Sequence, residues 1–190
     1  YFKNSTELLS GTNAVYSTMH GGNLVGREWF FLHDTRSDEV ATGGSQLEVP
    51  RAQLLNGVQD PSNAVLNSVW DALYTLIHRA NTVIANGPIV TDNTQLRDRC
   101  VGEAKFLRAW AYFDLLSQWG GVPINIAPVT TADAYQARSK EDDVYTLIIQ
   151  DLNDAIAALP PSYAPSDLGR ATSGAANALL GRVLMLKGDY

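Results

Sequence analysis

Residues 103–123, EAKFLRAWAYFDLLSQWGGVP, constrain the fold of this chain more than any other segment. At 100° per residue, their apolar side chains fall on two opposite faces of a helix. The faces are Ala104, Leu107, Ala111 and Leu115 on one side and Phe106, Ala109, Trp110, Phe113 and Leu116 on the other. Because such a helix must pack against neighbours on both sides, the segment predicts the central helix of a layered, mostly helical protein. Glu103, Lys105 and Asp114 are expected on its narrow flanks, and Gly120-Gly121 is expected to end it.

Helical spacing of apolar residues at three and four predicts four further helices. The first opens at Asn4-Ser5-Thr6-Glu7, and a long helix covers about 63–86 before the central helix at about 94–119. The next begins at residues 139–142, where Ser139 and Asp142 fit a capping box, and the last starts near Thr172. A short linker through Asp92-Asn93 separates the two long helices.

The segment 21–62 has the least regular pattern in the chain. Residues 29–33, WFFLH, fit either a short strand or a turn of helix. The stretch from His33 to Asn63 is dense in Gly, Asp, Ser, Thr and Asn, and we expect no helix or long strand in it. A loop of this length inside a compact domain is more often functional than idle.

Composition excludes several classes of function. The 190 residues fit one domain, or one domain and part of another. A net charge of −6 argues against a nucleic-acid partner, which requires a basic face. With one cysteine and three scattered histidines, neither an intrachain disulfide nor a metal site is expected, and Cys100 fits a small buried hydrophobe. No stretch approaches the ~20 apolar residues of a membrane span.

Four blocks of the sequence resemble the SusD/RagB family. Residues 103–123 match its hallmark, EA+FLRA-x-x-YFDL-x-x-x-GGVP. The other blocks are WDALYTLIHRAN at 70–81, RSKEDDVYTLIIQDLNDAIAALP at 138–160 and GRATSGAANALLGRV at 169–183. The four stand in the family's order with plausible gaps. They are therefore far more specific together than any one of them is alone.

The resemblance implies an all-α fold of tetratricopeptide-like helical hairpins, with a long irregular loop and little or no sheet. Residues 1–190 would be the N-terminal helical region of a longer chain, with tetratricopeptide-like helices at 139–190. Family members are surface lipoproteins that bind nutrients, mostly glycans, beside a SusC-like TonB-dependent transporter of the outer membrane. This sequence shows no signal peptide or lipid-acceptor cysteine, so we expect a trimmed or mature fragment.

The resemblance also implies non-catalytic glycan capture, without a cofactor. The alternative is a tetratricopeptide-type scaffold that binds a protein or peptide. The sequence contains no recognisable arrangement of catalytic residues that would indicate an enzyme. The adjacent Asp38 and Glu39 cannot face each other across a glycosidic bond, as glycoside hydrolysis requires. Their other interpretations are acceptors for sugar hydroxyls or a solvated acidic turn.

The ligand-binding residues are predicted in the irregular segment, since the family's site is built partly from loops of this region. Sugars stack their apolar C–H faces on aromatic rings, while amides, acids and arginines bond their hydroxyls. That mixture is supplied by Trp29, Arg36, Asp38, Glu39 and Gln46. The other tryptophans, in the helical segments, are expected to be core residues.

Arg108 is predicted to be buried, because it lies about 20° from Leu115 on the first apolar face. A buried guanidinium must be paired and hydrogen-bonded. The candidate partners are Glu103, Asp114 and an acid of the following helix such as Asp151. The central segment thus identifies the family but is expected to touch no ligand.

Overall fold

The computed structural model describes residues 2–42, 46–130 and 135–189. Within these ranges all regular structure is helical, which confirms the predicted all-α fold. The α-helices are α1 (Ser5–Met19), α2 (Glu28–His33), α3 (Val49–Leu55), α4 (Ala64–Asn86), α5 (Thr94–Trp119), α6 (Glu141–Ala158) and α7 (Ser173–Lys187). Short 3-10 helices follow at Gly87–Ile89 and Pro165–Asp167.

Four helices begin within about a residue of their predicted starts, and each has a side-chain cap. Asn4 Oδ1 accepts from the Glu7 N–H at 2.9 Å, and Asn93 Oδ1 accepts from Leu96 at 3.0 Å. The equivalent bonds at α4 and α7 come from Asn63, with Val65 as donor, and from Thr172, with Ala175 as donor. Each bond satisfies one of the N–H groups that the first helical turn leaves without an intrahelical acceptor.

The capping box predicted at Ser139 is wrong. Helix α6 begins at Glu141, and its cap residue Lys140 makes no side-chain capping bond. Ser139 lies outside the helix because its N–H donates to the Val122 carbonyl at 3.2 Å, which ties this residue to the chain after α5. The first turn instead carries Glu141, Asp142 and Asp143, as expected for acids facing a helix N-terminus.

The prediction that residues 33–63 contain no helix is also wrong. Helix α3 occupies Val49–Leu55, with Pro50 in its first turn, where proline is well tolerated. Its inward face is short, with only Arg51 and Leu54 buried. Of the two readings for residues 29–33, the helical one is correct. Gly43-Gly44-Ser45 lies outside the described residues.

The chain divides into two compact units, one built from the residues up to Tyr16 and from Leu76 onward, the other from Ser17–Thr75. In the larger unit α5 packs against α6, and α6 against α7, as helical hairpins. The first apolar face of α5 is fully buried, while Phe106, Trp110 and Phe113 on the second are only partly buried. The buried apolar residues of the smaller unit are Leu24, Leu32, Leu54, Val65, Val69 and Leu73.

The flank positions of α5 differ from the expectation. Lys105 is partly exposed and pairs with Asp154 at 2.5 Å, but Glu103 and Asp114 are buried. Glu103 accepts from Arg170 Nη1 at 2.9 Å and lies 3.3 Å from Arg99 Nε. Since these cations neutralise the carboxylate, Glu103 can occupy a position that its polarity alone would exclude.

Arg108 is buried and pairs with Asp151, one of its three predicted partners. Its Nε and Nη2 donate to the two carboxylate oxygens at 2.7 Å each, and its Nη1 donates to Asn81 Oδ1 at 2.6 Å. Burial raises the pKa of the Asp151 carboxyl, and the bonds from Arg108 act in the opposite direction. Asn81 in turn donates to the carbonyls of Asn125 and Ala127. The pair therefore joins α4, α5, α6 and the chain after α5.

The double glycine after α5 has two separate structural reasons. Gly120 adopts φ +70°, in the range that favours glycine. Gly121 lies so close to the Ser139 carbonyl that a Cβ would collide with this backbone atom. Backbone geometry at Gly120 and close packing at Gly121 therefore explain the two glycines of this segment.

Two further observations concern the described residues only. None of their helices combines the length and apolarity needed to cross a bilayer. No group of three or more of their His, Cys, Asp and Glu side chains is arranged to hold a metal ion. Cys100 is a buried free thiol, as predicted.

Candidate functional site

The five predicted ligand residues all lie in the smaller unit, on or between α2 and α3. Trp29 belongs to α2 and is partly buried, with its ring centroid 4.1 Å from that of His33. The other four are exposed, with Arg36, Asp38 and Glu39 following α2 and Gln46 preceding α3. We call α2, α3 and the described residues between them the α2–α3 surface.

A buried ion pair connects the two helices of this surface. Arg51 of α3 donates through Nη2 to Glu28 Oε1 of α2 at 2.5 Å, and both side chains are less than a tenth exposed. Arg51 also pairs with Glu48, and Arg27 lies 2.7 Å from Glu28. The bond to Glu28 is the main reason why the pKa of Arg51 is raised, so this guanidinium keeps its charge. The pair fixes the two ends of the segment that carries the predicted ligand residues.

A cation–π contact and an edge-to-face aromatic contact connect this ion pair to an exposed ring. The Arg51 guanidinium lies 4.8 Å from the centroid of the Phe31 ring, within the range of a cation–π contact. Phe31 meets Phe30 edge to face, with centroids 5.5 Å apart. The Phe30 side chain is nevertheless 45% exposed. The partly exposed ring of Phe30 is thus connected through Phe31 to the buried guanidinium of Arg51.

Glu28, Arg51 and Phe30 are not among the residues predicted from the sequence. A signal existed for the first, because Glu28 and Leu32 are four residues apart and share the buried face of α2. An acid on a buried face requires a cation. The spacing of Glu28 and Leu32 places them on one face of a helix, but the sequence of residues 29–33 fits a strand as well. The burial of Glu28 therefore could not be predicted from the sequence.

The larger unit contains a groove of its own. It has a volume of about 860 Å³ and is lined by residues of α1 and α4 together with Phe2 and Pro128. His78 lies in it, and its Nδ1 accepts from the Val129 N–H at 3.4 Å. None of the five predicted ligand residues lines this groove.

Comparison with known proteins assigns the family. A SusD-like family described as starch-binding and associating with the outer membrane matches residues 11–185. The chain belongs to the SusD-like family. This confirms the resemblance seen in the four sequence blocks.

Individual SusD-like proteins are similar to most or all of this chain. Two SusD-like proteins of Formosa agariphila are 27% identical over 192 residues and 33% identical over 159 residues. These alignments cover 100% and 82% of this chain, but 38% and 30% of those proteins. A solved structure of a laminarin-binding SusD-like protein is 33% identical, with a TM-score of 0.88. That match covers 98% of this chain and 41% of the other, so this chain spans well under half of its SusD-like relatives.

Proposed function

We propose that this protein binds a glycan without catalysis, and that the α2–α3 surface contributes the contacts. The observation that carries the proposal is membership of the SusD-like family over residues 11–185. It is supported by the similarity, over 98% of the chain, to a SusD-like protein that binds laminarin. Glycan capture is then an equilibrium in which no bond is made or broken.

The composition of the α2–α3 surface fits this role. Trp29 and Phe30 offer aromatic rings that are not fully buried, and apolar sugar faces pack on such rings. Arg36, Asp38, Glu39 and Gln46 are exposed donors and acceptors for sugar hydroxyls. Hydrolysis would require two carboxyls facing each other across the bond, and the adjacent Asp38 and Glu39 offer no such arrangement.

Alanine substitution at two predicted positions tests the site. We expect Trp29→Ala and Asp38→Ala each to weaken binding of laminarin, measured by isothermal titration calorimetry, by roughly tenfold, because each removes a packing face or an acceptor. Asp71→Ala is the matched control, since Asp71 is an exposed carboxylate of the same unit but belongs to α4. Its affinity should equal that of the unmodified protein.

The other outcomes separate the alternatives. Undiminished binding by both variants would move the site away from the α2–α3 surface, and His78→Ala would then test the groove of the larger unit. A protein that binds none of a broad panel of glycans would contradict the proposal and favour the peptide-binding scaffold. Shortened oligosaccharides appearing in the mixture would indicate an enzyme.

We further propose that the captured glycan passes to a SusC-like TonB-dependent transporter, and that the full-length protein is held at the outer-membrane surface by a lipid anchor. The support is the description of the matching family as associating with the outer membrane. Co-purification of the full-length protein with a co-expressed transporter tests the partnership. Digestion of the protein by protease added to intact cells tests the location.

A further inference from the structure

The charge of the smaller unit is strongly one-sided. Between Ser17 and Thr75 the sequence has three arginines and no lysine, against seven aspartates and glutamates. The acids of this segment are Glu28, Asp34, Asp38, Glu39, Glu48, Asp60 and Asp71. A short segment therefore carries most of the net charge of −6 of the whole chain.

The three arginines are poorly placed to hold an anionic ligand. Arg27 and Arg51 both contact the carboxylate of Glu28, and the side chain of Arg51 is buried. Arg36 is exposed, but Asp34 and Asp38 stand two residues to either side of it in the sequence. Sulfated or carboxylated polymers are held by arginine and lysine, and like charges close together are repelled. A polyanion would meet mostly carboxylates on this surface.

The aromatic side chains of α2 differ in what they can offer to a ligand. One face of the Trp29 ring lies against the His33 ring, with centroids 4.1 Å apart. Phe30 is 45% exposed, and its ring also meets the Phe31 ring edge to face. Phe31 is itself held under the guanidinium of Arg51. Phe30 is therefore a preorganised apolar platform, and binding to it costs little ordering of the protein.

We infer that the α2–α3 surface selects uncharged glycans, and that Phe30 supplies the ring on which a sugar face packs. The inference rests on the proposed glycan binding and adds the class of ligand and the packing residue. An uncharged sugar brings no like charge to the exposed carboxylates of Asp38 and Glu39, which can accept its hydroxyl hydrogens. Its C–H face replaces water on an exposed aromatic ring.

The test of ligand class compares two forms of one glycan. Laminarin and chemically sulfated laminarin share a backbone and differ in charge, so isothermal titration calorimetry with both isolates the charge effect. We expect laminarin to bind at least about tenfold more tightly, which corresponds to ~1.4 kcal/mol. Its affinity should change by less than about twofold between low salt and ~0.5 M NaCl, because an uncharged ligand has no charge to screen.

A charge-removing variant tests the cause of the selectivity. The double substitution Asp38→Asn with Glu39→Gln keeps oxygen acceptors and removes two negative charges. We expect it to reduce the preference for laminarin over the sulfated form by roughly threefold or more at low salt. An unchanged ratio would show that these carboxylates do not produce the selectivity, and would overturn that part of the inference.

Phe30→Ala tests the packing residue. We expect laminarin affinity to fall by roughly tenfold, while Phe30→Tyr, which keeps the ring, retains it within about twofold. Val58→Ala is the control, since Val58 is another exposed apolar side chain of the same unit. Circular dichroism and the thermal midpoint establish that each variant folds. A folded Phe30→Ala protein of unchanged affinity would overturn the role of Phe30.

The possible failures are distinguishable. Tighter binding of sulfated laminarin than of laminarin would overturn this inference and leave glycan binding intact. No binding of either form, or of any other glycan in a broad panel, would overturn the proposed function itself.

Discussion

The surroundings of α5 and the α2–α3 surface use charged residues in opposite ways. Around α5, Glu103 and Arg108 are buried and bonded to partners from distant parts of the chain. On the α2–α3 surface one buried pair, Glu28 with Arg51, holds the frame, and the other charged residues between the helices are mostly exposed. The charged side chains around α5 are thus part of the packed interior. Most of those on the α2–α3 surface are exposed and can contact a ligand.

This difference explains why the most recognisable segment is not the candidate site. A buried charged residue requires a specific partner, and a position where two backbone segments approach closely requires glycine. Because packing restricts the residue type at such positions, they form a recognisable sequence motif. Exposed residues that bond a ligand are free to differ with the ligand. The hallmark segment thus reports the fold, and the specificity of binding has to be sought in the less regular segment.

Arg108→Ala is the strongest test of this contrast. Removing the guanidinium leaves Asp151 buried without its bidentate partner, which costs about 3–5 kcal/mol of unfolding free energy. Urea unfolding followed by circular dichroism measures the loss. We expect the folded fraction to retain the laminarin affinity of the unmodified protein.

Arg97→Ala is the matched control, because Arg97 is partly exposed and pairs with the exposed Asp98, and the loss of such a surface pair should change the unfolding free energy far less than the loss of Arg108. Equal unfolding midpoints for Arg108→Ala and the unmodified protein would contradict a structural role for Arg108. A selective loss of glycan binding would make α5 part of the site.

Arg51→Ala should affect both stability and binding. It leaves Glu28 buried next to the exposed Arg27 alone, and we expect a loss of about 2–3 kcal/mol. Since the ends of the ligand-bearing segment are then no longer held, laminarin affinity should also fall by roughly threefold or more. Arg27→Ala removes the exposed partner of the same carboxylate, and we expect it to lower neither the stability nor the laminarin affinity. If Arg51→Ala weakened binding no more than Arg27→Ala, the ion pair would not position the site.

Gly121→Ala tests the backbone approach that ends the hallmark segment. The new methyl group would collide with the Ser139 carbonyl, and we expect a loss of about 2 kcal/mol in unfolding free energy. Gly181→Ala is the control, and we expect it to raise the free energy of unfolding. A Cβ there meets no atom within 4 Å, and alanine is the better helix former by ~1 kcal/mol. Stabilisation by both substitutions would mean that Gly121 is not required for close packing.

Asp92→Asn should have the smallest effect, and one that depends on pH. The Ser5 hydroxyl and N–H both donate to the Asp92 carboxylate, which lowers the pKa of this carboxyl. A lowered pKa contributes stability above the ordinary carboxyl range, and that contribution disappears as the pH falls through the lowered value. The variant should therefore melt at a lower temperature than the unmodified protein near pH 7, and the difference should disappear once the pH lies below the lowered pKa of Asp92. A difference that persisted at low pH would exclude the titration of Asp92 as its cause.

The parts of the fold that sequence could predict depend on local chemistry. Helices α1, α4, α5 and α7 begin at capping side chains that act within three residues, and α5 was long and strongly periodic. Helix α3 was missed because seven residues with two inward side chains give too short a pattern. The start of α6 was misplaced because Ser139 is held by Val122, a contact that capping rules cannot include.

Long-range partners set the limit for the candidate site. Burial on an apolar face predicted that Arg108 needs an acid, and Asp151 was among the candidates. Glu103 was placed on a flank because its partner Arg170 lies 67 residues later. Phe30 could not be singled out, since its direction depends on whether residues 29–33 form a strand or a helix. The five ligand residues remain predictions, and the proposed substitutions test Trp29, Asp38 and Glu39 among them.

The thiol of Cys100 has a practical consequence. It is fully buried, and burial raises its pKa, so the reactive thiolate form is suppressed. Since the sequence contains no other cysteine, a thiol introduced at an exposed position would be the preferred target of a maleimide dye. Val58→Cys, three residues after α3, would place a fluorophore beside the α2–α3 surface without removing a native thiol or a predicted ligand residue. Ligand capture could then be followed optically, one labelled molecule at a time.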